Sequence, residues 1–196
     1  MASQAEQIKK LREMTGAGVL DAKRTLEEHN GDFDKALAVL KEKGLKQAAK
    51  KAERVAKQGI IETYVHGGRI GVMVEVNCET DFVAATPEFK ELVHNITLQI
   101  AAQNPTFISD ESIPAAVVEE QQRIYAEAAK ADGKSGPIVD KIVKGKTESW
   151  LKEAVLLRQA FIRDDSQTIH DLVQSTIAKL RENIVVRRFA RYALGE

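Results

Sequence analysis

The chain has 196 residues, 43% hydrophobic and 30% charged, enough for one good-sized domain or a small domain joined to a larger one, and of a globular rather than a disordered composition. Lys and Arg number 29 and Asp and Glu 29, so the formal net charge is zero; a uniformly basic binder of nucleic acid or membranes is excluded and any basic patch must be local. One cysteine, Cys78, excludes an internal disulfide and a multi-cysteine metal site, and no apolar run approaches the ~20 residues that cross a bilayer, so the chain is read as cytosolic.

From Ile8 to Gly44 the spacing predicts three short helices. Ile8, Leu11 and Met14 repeat at helical intervals, Thr15-Gly16-Ala17-Gly18 interrupts them, and Val19, Ala22 and Leu26 resume the pattern until Asn30-Gly31. Asp32 is placed to cap a third helix carrying Phe33, Ala36, Leu37 and Leu40, with Gly44 suited to the position after its end. Residues 1–44 are therefore taken as a minimal three-helix domain. The Ala-rich, Lys-rich stretch 45–58 follows, with Lys46, Lys50, Lys51, Arg54 and Lys57 against Glu53 alone, and it reads as a solvated basic connecting helix.

After Gly59 the period changes to two, opening a core over 59–196. Ile60 to His66 and Arg69 to Val76 are rich in β-branched and aromatic residues, and Gly67-Gly68 between them is a two-residue hairpin signal. The second strand ends at Asn77-Cys78. Thr86-Pro87 then looks like the start of a helix that buries Phe89, Leu92, Val93, Ile96 and Ile100 and closes at Asn104-Pro105. Further helices are predicted from Ile113-Pro114 to about Lys130 and from Ile138 to Leu157, the latter with a break at Gly145. Thr168 and Asp171 form a capping-box-like start before Leu172, Val173, Ile177 and Leu180. Asn183 to Leu194 returns to strand character, with Ile184, Val186, Ala190, Tyr192 and Leu194 on one face and Arg187 and Arg191 on the other. Two strands alone are marginal, so this one is expected to join the hairpin as a third, giving an α+β core.

Catalytic chemistry is hard to assemble from these residues. His29, His66, His94 and His170 fall in four separate predicted elements without paired ligand spacing, so no metal site is expected. Cys78 at a strand end, beside acids that raise a thiol pKa, reads as a small buried residue. Thr15-Gly16-Ala17-Gly18 follows a helix, not a strand, and lacks the rest of a phosphate-binding loop, so no nucleotide cofactor is expected. Asp164-Asp165 and Glu119-Glu120 read as solvated pairs. An enzyme is thus disfavoured, and exposed features that suit a protein partner remain. The bare backbone of Gly16, Ala17 and Gly18, followed by Val19 and Leu20, would let another protein's helix approach closely; it equally serves a tight turn needing positive φ, and the two readings are compatible. Phe82 in Asn77-Cys78-Glu79-Thr80-Asp81-Phe82-Val83-Ala84 is either a core plug or an exposed anchor, and a plug would drag Glu79 and Asp81 toward the core.

Three stretches, I-K-K-L-R-E-M-T-G-A-G-V-L-D-A-K-R-T-L from Ile8, V-E-V-N-C-E-T-D-F-V-A from Val74 and E-N-I-V-V-R-R-F-A-R-Y from Glu182, closely resemble the translation elongation factor Ts family in its own order and over nearly the whole chain. The resemblance implies a ubiquitin-associated-like three-helix domain followed by a core with an antiparallel sheet. It also implies guanine-nucleotide exchange on the GTPase elongation factor Tu, by binding and without covalent chemistry. In the family the motif matching Thr80, Asp81, Phe82 and Val83 is the tip that enters the GTPase near its magnesium site. The N-terminal domain, around Met14, Gly16, Gly18, Val19, Leu20 and Lys23, is a second contact. The chain ends soon after its last strand and resembles the family's short form, without the coiled-coil insertion and extra C-terminal helix of longer members, whose contacts do not transfer. Short-form relatives suggest a homodimer of the core, and with Ala190 and no cysteine in the last strand such a dimer must rest on packing. No membrane and no direct nucleic-acid contact is expected. The rival reading is a ribosome- or RNA-associated protein using Lys46 to Lys57 with Arg187, Arg188 and Arg191; an adaptor built on the small helical domain would leave the core unexplained.

Overall fold

The computed structural model describes residues 3–196, which divide into two compact units. The first gathers the described residues up to Thr63 with Met73–Thr97 and Asp171–Ala190; the second gathers Tyr64–Val72, Leu98–His170 and Arg191–Glu196.

In the first unit, α1 (Gln4–Thr15), α2 (Val19–Glu28) and α3 (Phe33–Ala49) enclose a core of Leu11, Ala22, Leu26, Ala36 and Leu40, with Ile8, Ala17, Phe33 and Leu37 packed around it. The apolar periodicity thus finds the right faces, and Asp32 caps α3 as expected by accepting the Lys35 N–H at 3.1 Å. Met14 and Val19, at positions in the same periodic series, instead lie on the surface, 44% and 50% exposed. The basic stretch 45–58 departs from its expected form. Residues 45–49 continue α3 through Gly44, and the chain then turns, Lys51 N–H donating to the Ala48 carbonyl and Arg54 N–H to the Lys51 carbonyl, before a strand begins at Gln58. Gly44 is a packing glycine and not a stop: a Cβ there would stand 3.1 Å from the Ala178 Cβ, so its absence lets α3 approach the helix that carries Ala178.

β1 (Gln58–His66) and β2 (Ile70–Cys78) form the expected hairpin, turning at Gly67 and Gly68, which both have positive φ. β5 (Ile184–Ala193) completes a three-stranded antiparallel sheet in the order β1-β2-β5, so the α+β class stands. In β2, Val72, Val74, Val76 and Cys78 alternate inward. β5 buries Ile184 and Val186, but Arg187 and Arg188 are both exposed and the alternation changes phase there. Ala190, Tyr192 and Leu194 consequently lie exposed while Phe189, Arg191 and Ala193 are partly buried, which corrects the single apolar face read from the pattern.

Between the hairpin and β5 the helices follow the predicted order. α4 (Asp81–Ala84) is one turn; α5 (Pro87–Gln103) starts at its proline, with the Thr86 Oγ1 accepting the Phe89 N–H, and buries Phe89, Leu92, Val93, Ile96 and Ile100. α6 (Ala115–Ala131) and α7 (Pro137–Ala154) pack together in the second unit, and α7 runs unbroken through Gly145. A small hairpin of β3 (Ala160–Phe161) and β4 (Asp164–Thr168), which sequence patterning does not reveal, leads into α8 (Ile169–Leu180). Among the described residues no helix is long and apolar enough to cross a membrane.

Candidate functional site

The chain leaves β2 at Cys78 and turns at once into α4. Thr80 has extended backbone angles and caps this turn, its Oγ1 accepting the Val83 N–H at 3.4 Å, while the Ala84 and Ala85 N–H groups bond the Thr80 and Asp81 carbonyls. One face of the turn points inward through Ala84. The other presents Phe82, 82% exposed. Burying a phenylalanine fully is worth roughly 1.5–3 kcal/mol, so this fold forgoes that gain at Phe82. The plug reading is thereby set aside, because the ring lies outside the chain's own core.

The support beneath the tip comes from distant residues. Glu182, just ahead of β5, accepts the backbone N–H groups of Glu79 and Thr80 at 3.1 and 3.0 Å through one carboxylate oxygen, and the Thr80 hydroxyl at 2.6 Å through the other. Glu79 returns the arrangement by accepting the Asn183 N–H at 2.7 Å, with the Arg54 guanidinium 3.6 Å away. Asn183 is itself buried and donates from its amide to the Ala52 and Arg54 carbonyls. Cys78 lies under the tip with no exposure, its Sγ donating to the Thr80 carbonyl at 3.1 Å. Burial first, and the Glu182 carboxylate second, push its thiol up to about 11, in keeping with an inert buried residue. Thr80 therefore faces the protein, whereas Asp81 and Phe82 face outward and Val83 is half-buried. Sequence patterning does not single out Glu182 or Asn183; their only signal is their presence in the third matching stretch.

A second exposed surface lies on the three-helix part. Leu20 is 82% exposed and its neighbour Val19 50%, Met14 at the end of α1 is 44% exposed, and the exposed Lys23 stands 3.8 Å from Glu27. Gly16 and Gly18 are half-buried and differ in kind. Gly16 closes α1 in the left-handed conformation at φ +67 and packs against the Lys179 backbone of α8, whereas Gly18 begins α2 at φ −64. At Gly16 the close approach expected of another protein's helix is thus taken by the chain's own α8, which corrects that reading there.

The basic residues of the rival reading are largely engaged. Lys46 bonds Glu42 at 2.6 Å, Arg188 bonds Glu75 at 2.7 Å, Arg191 is paired with Glu196, and Lys51 is buried, which lowers its pKa. Three of the histidines have separate partners: His29 bonds the Thr25 carbonyl, His66 the Tyr64 hydroxyl and His94 the Glu62 carboxylate.

Known families supply the next observation. The model of a family described as Elongation factor TS matches residues 2–196. The chain belongs to the elongation factor Ts family. It is 54% identical over 197 residues to the elongation factor Ts of Coprothermobacter proteolyticus, covering 100% of both chains. The elongation factor Ts of Thermoanaerobacter sp. (strain X514) is 55% identical over 193 residues, 98% of this chain and 95% of that one. That of Carboxydothermus hydrogenoformans is 50% identical over 98% of this chain and 89% of its own. A role as a translation elongation factor follows from this membership.

Proposed function

We propose that this chain is a guanine-nucleotide exchange factor for elongation factor Tu and works by inserting the ring of Phe82 into that GTPase near its magnesium site. The observation that carries the reading is the 82% exposure of Phe82 on a turn braced from beneath, in a chain whose family is that of elongation factor Ts. Magnesium offsets charge on the bound diphosphate and demands near-ideal octahedral geometry, so displacing its ligands by about an ångström lowers its affinity and frees GDP. A factor that binds the nucleotide-free state more tightly must, by reciprocity, weaken the nucleotide as the nucleotide weakens it. No bond is made or broken. Asp81 orients the tip and meets polar groups of the GTPase, and Met14, Val19, Leu20 and Lys23 supply a second contact with the same domain.

The chain acts as a homodimer in this reading, two cores contacting the GTPase together. Supporting it, Ile61 and Met73 on β1 and β2 are 60% and 52% exposed, apolar side chains left open on strands of the core sheet. The deciding experiment follows release of fluorescent GDP from purified elongation factor Tu in excess GDP and magnesium. Wild type is expected to accelerate release strongly and Phe82→Ala, checked to be folded, much less. No acceleration by wild type on a competent GTPase would sink the assignment and turn attention to RNA affinity and its salt dependence.

A further inference from the structure

Four hydrogen bonds tie the tip to the segment that opens β5, and they run in both directions. Glu182 reaches across to Glu79 N–H, Thr80 N–H and Thr80 Oγ1–H, and Glu79 reaches back to Asn183 N–H. We propose that Glu182 is a positioning residue for nucleotide exchange: the crossed carboxylates of Glu182 and Glu79 fix the direction in which α4 presents Phe82. This rests on the exchange reading above and names the device that makes the tip effective.

α4 cannot fix its own direction. A helix of four residues carries almost no cooperative stability, since the cost of nucleating the turn is barely offset by the bonds it closes. Its C-terminal end continues into Thr86 and α5, so that end is held. At its N-terminal end the strand ladder is over, and the amides of Glu79 and Thr80 need acceptors. A single carboxylate satisfies both, and its second oxygen takes the hydroxyl of the residue that caps the turn. Thr80 Oγ1 is thus bonded on both sides, donating to Glu182 and accepting from Val83, which locks its rotamer and with it the entry angle of the turn.

Electrostatics sharpens the point. Each of the two carboxylates, Glu79 and Glu182, faces N–H or O–H donors, and the Arg54 guanidinium stands 3.6 Å from Glu79. Such charge-assisted bonds are directional, so this clasp holds one geometry better than an apolar contact would. A wedge must arrive at its pocket with the right aim; a misplacement of about 1 Å can cost about a hundredfold where geometry governs a rate.

The test uses the full chain and the GDP-release assay over a range of factor concentrations, with Glu182→Gln, Thr80→Val and Thr80→Ser. Glu182→Gln keeps the shape but replaces one of the two accepting oxygens with an NH2 group that cannot accept. Its saturating release rate is expected to fall about tenfold or more, the scale of one charge-assisted bond, while the half-saturating concentration moves less than about threefold because the contacts of Met14 and Leu20 remain. Thr80→Val should show the same split, and Thr80→Ser, which keeps the hydroxyl, should restore the wild-type rate. As an independent readout, Cys78 beneath the tip should react faster with a maleimide in Glu182→Gln. A folded Glu182→Gln chain with the wild-type saturating rate overturns the proposal, as does a loss confined to the half-saturating concentration. Should Glu182→Gln not fold, the Val and Ser variants at Thr80 decide the matter by the same split. If wild type itself fails to release GDP, the exchange reading falls and takes this one with it, a result distinct from a competent wild type matched by its variants.

Discussion

A Cβ atom placed on Gly16 would fall 2.4 Å from the Cα of Lys179, closer than two such atoms approach. The turn between α1 and α2 therefore meets α8 backbone to backbone. Gly16 also has φ +67, so glycine is required there for two independent reasons. Gly18 has neither constraint, its nearest obstacle being the Asp21 carboxylate at 3.7 Å. Gly16→Ala is expected to lower unfolding free energy by about 2 kcal/mol or more, and Gly18→Ala to stay within about 0.5 kcal/mol of wild type. Urea titrations of the two variants check this; equal effects would mean that the α1–α2 turn does not pack as described.

Phe82 separates stability from activity. With so much of its ring in solvent, Phe82→Ala should shift unfolding free energy by no more than about 0.5 kcal/mol, while removing most of the exchange activity. Asp81→Ala is expected to cost less exchange than Phe82→Ala, since an exposed carboxylate at an interface edge contributes less than a buried ring. Side-by-side release rates and melting curves test both statements; a large loss of stability in Phe82→Ala would return the ring to the core.

Cys78 gives a dependence on pH whose sign follows from its environment. Its thiol is raised from the usual 9.0 to about 11, so the folded state holds the proton more tightly than the unfolded one. The associated stability is fully present below about pH 9 and is lost as pH rises through about 11. Denaturation measured across that window should fall more steeply for wild type than for Cys78→Ala; parallel curves would show that the thiol ionises freely in the fold.

Much of this molecule is legible in its residues, for reasons that differ by element. The hairpin follows from Gly67-Gly68 between β-branched runs, and α5 from Thr86-Pro87 and five apolar residues on one face, because turn chemistry and periodicity are local and strong there. Gly44 and Gly145 mislead because a glycine inside a helix looks the same as one after its end; only the 3.1 Å approach to Ala178 shows what Gly44 is for. The faces of β5 escape the pattern because a change of phase at Arg187-Arg188 breaks the two-residue period on which it depends. Gly59 reads as a boundary, yet its backbone lies against Val76, where a Cβ would meet the carbonyl oxygen at 2.1 Å. Phe82 stands out by its acidic neighbours, whereas the residues that brace it do not, since a hydrogen bond across a hundred or so positions leaves no mark in local pattern.

Thr80 to Val83 looks like a self-contained motif, four residues that could be copied into a short peptide. What gives those residues their shape lies elsewhere: three of the bonds at the tip end on Glu182, and the Glu79 carboxylate accepts from Asn183. A linear peptide spanning Cys78 to Ala85 would carry the aromatic ring without its scaffold and populate the turn only rarely. An inhibitor that copies this tip has to import the β5 side of the clasp, or replace it with a covalent constraint, before it competes with the protein.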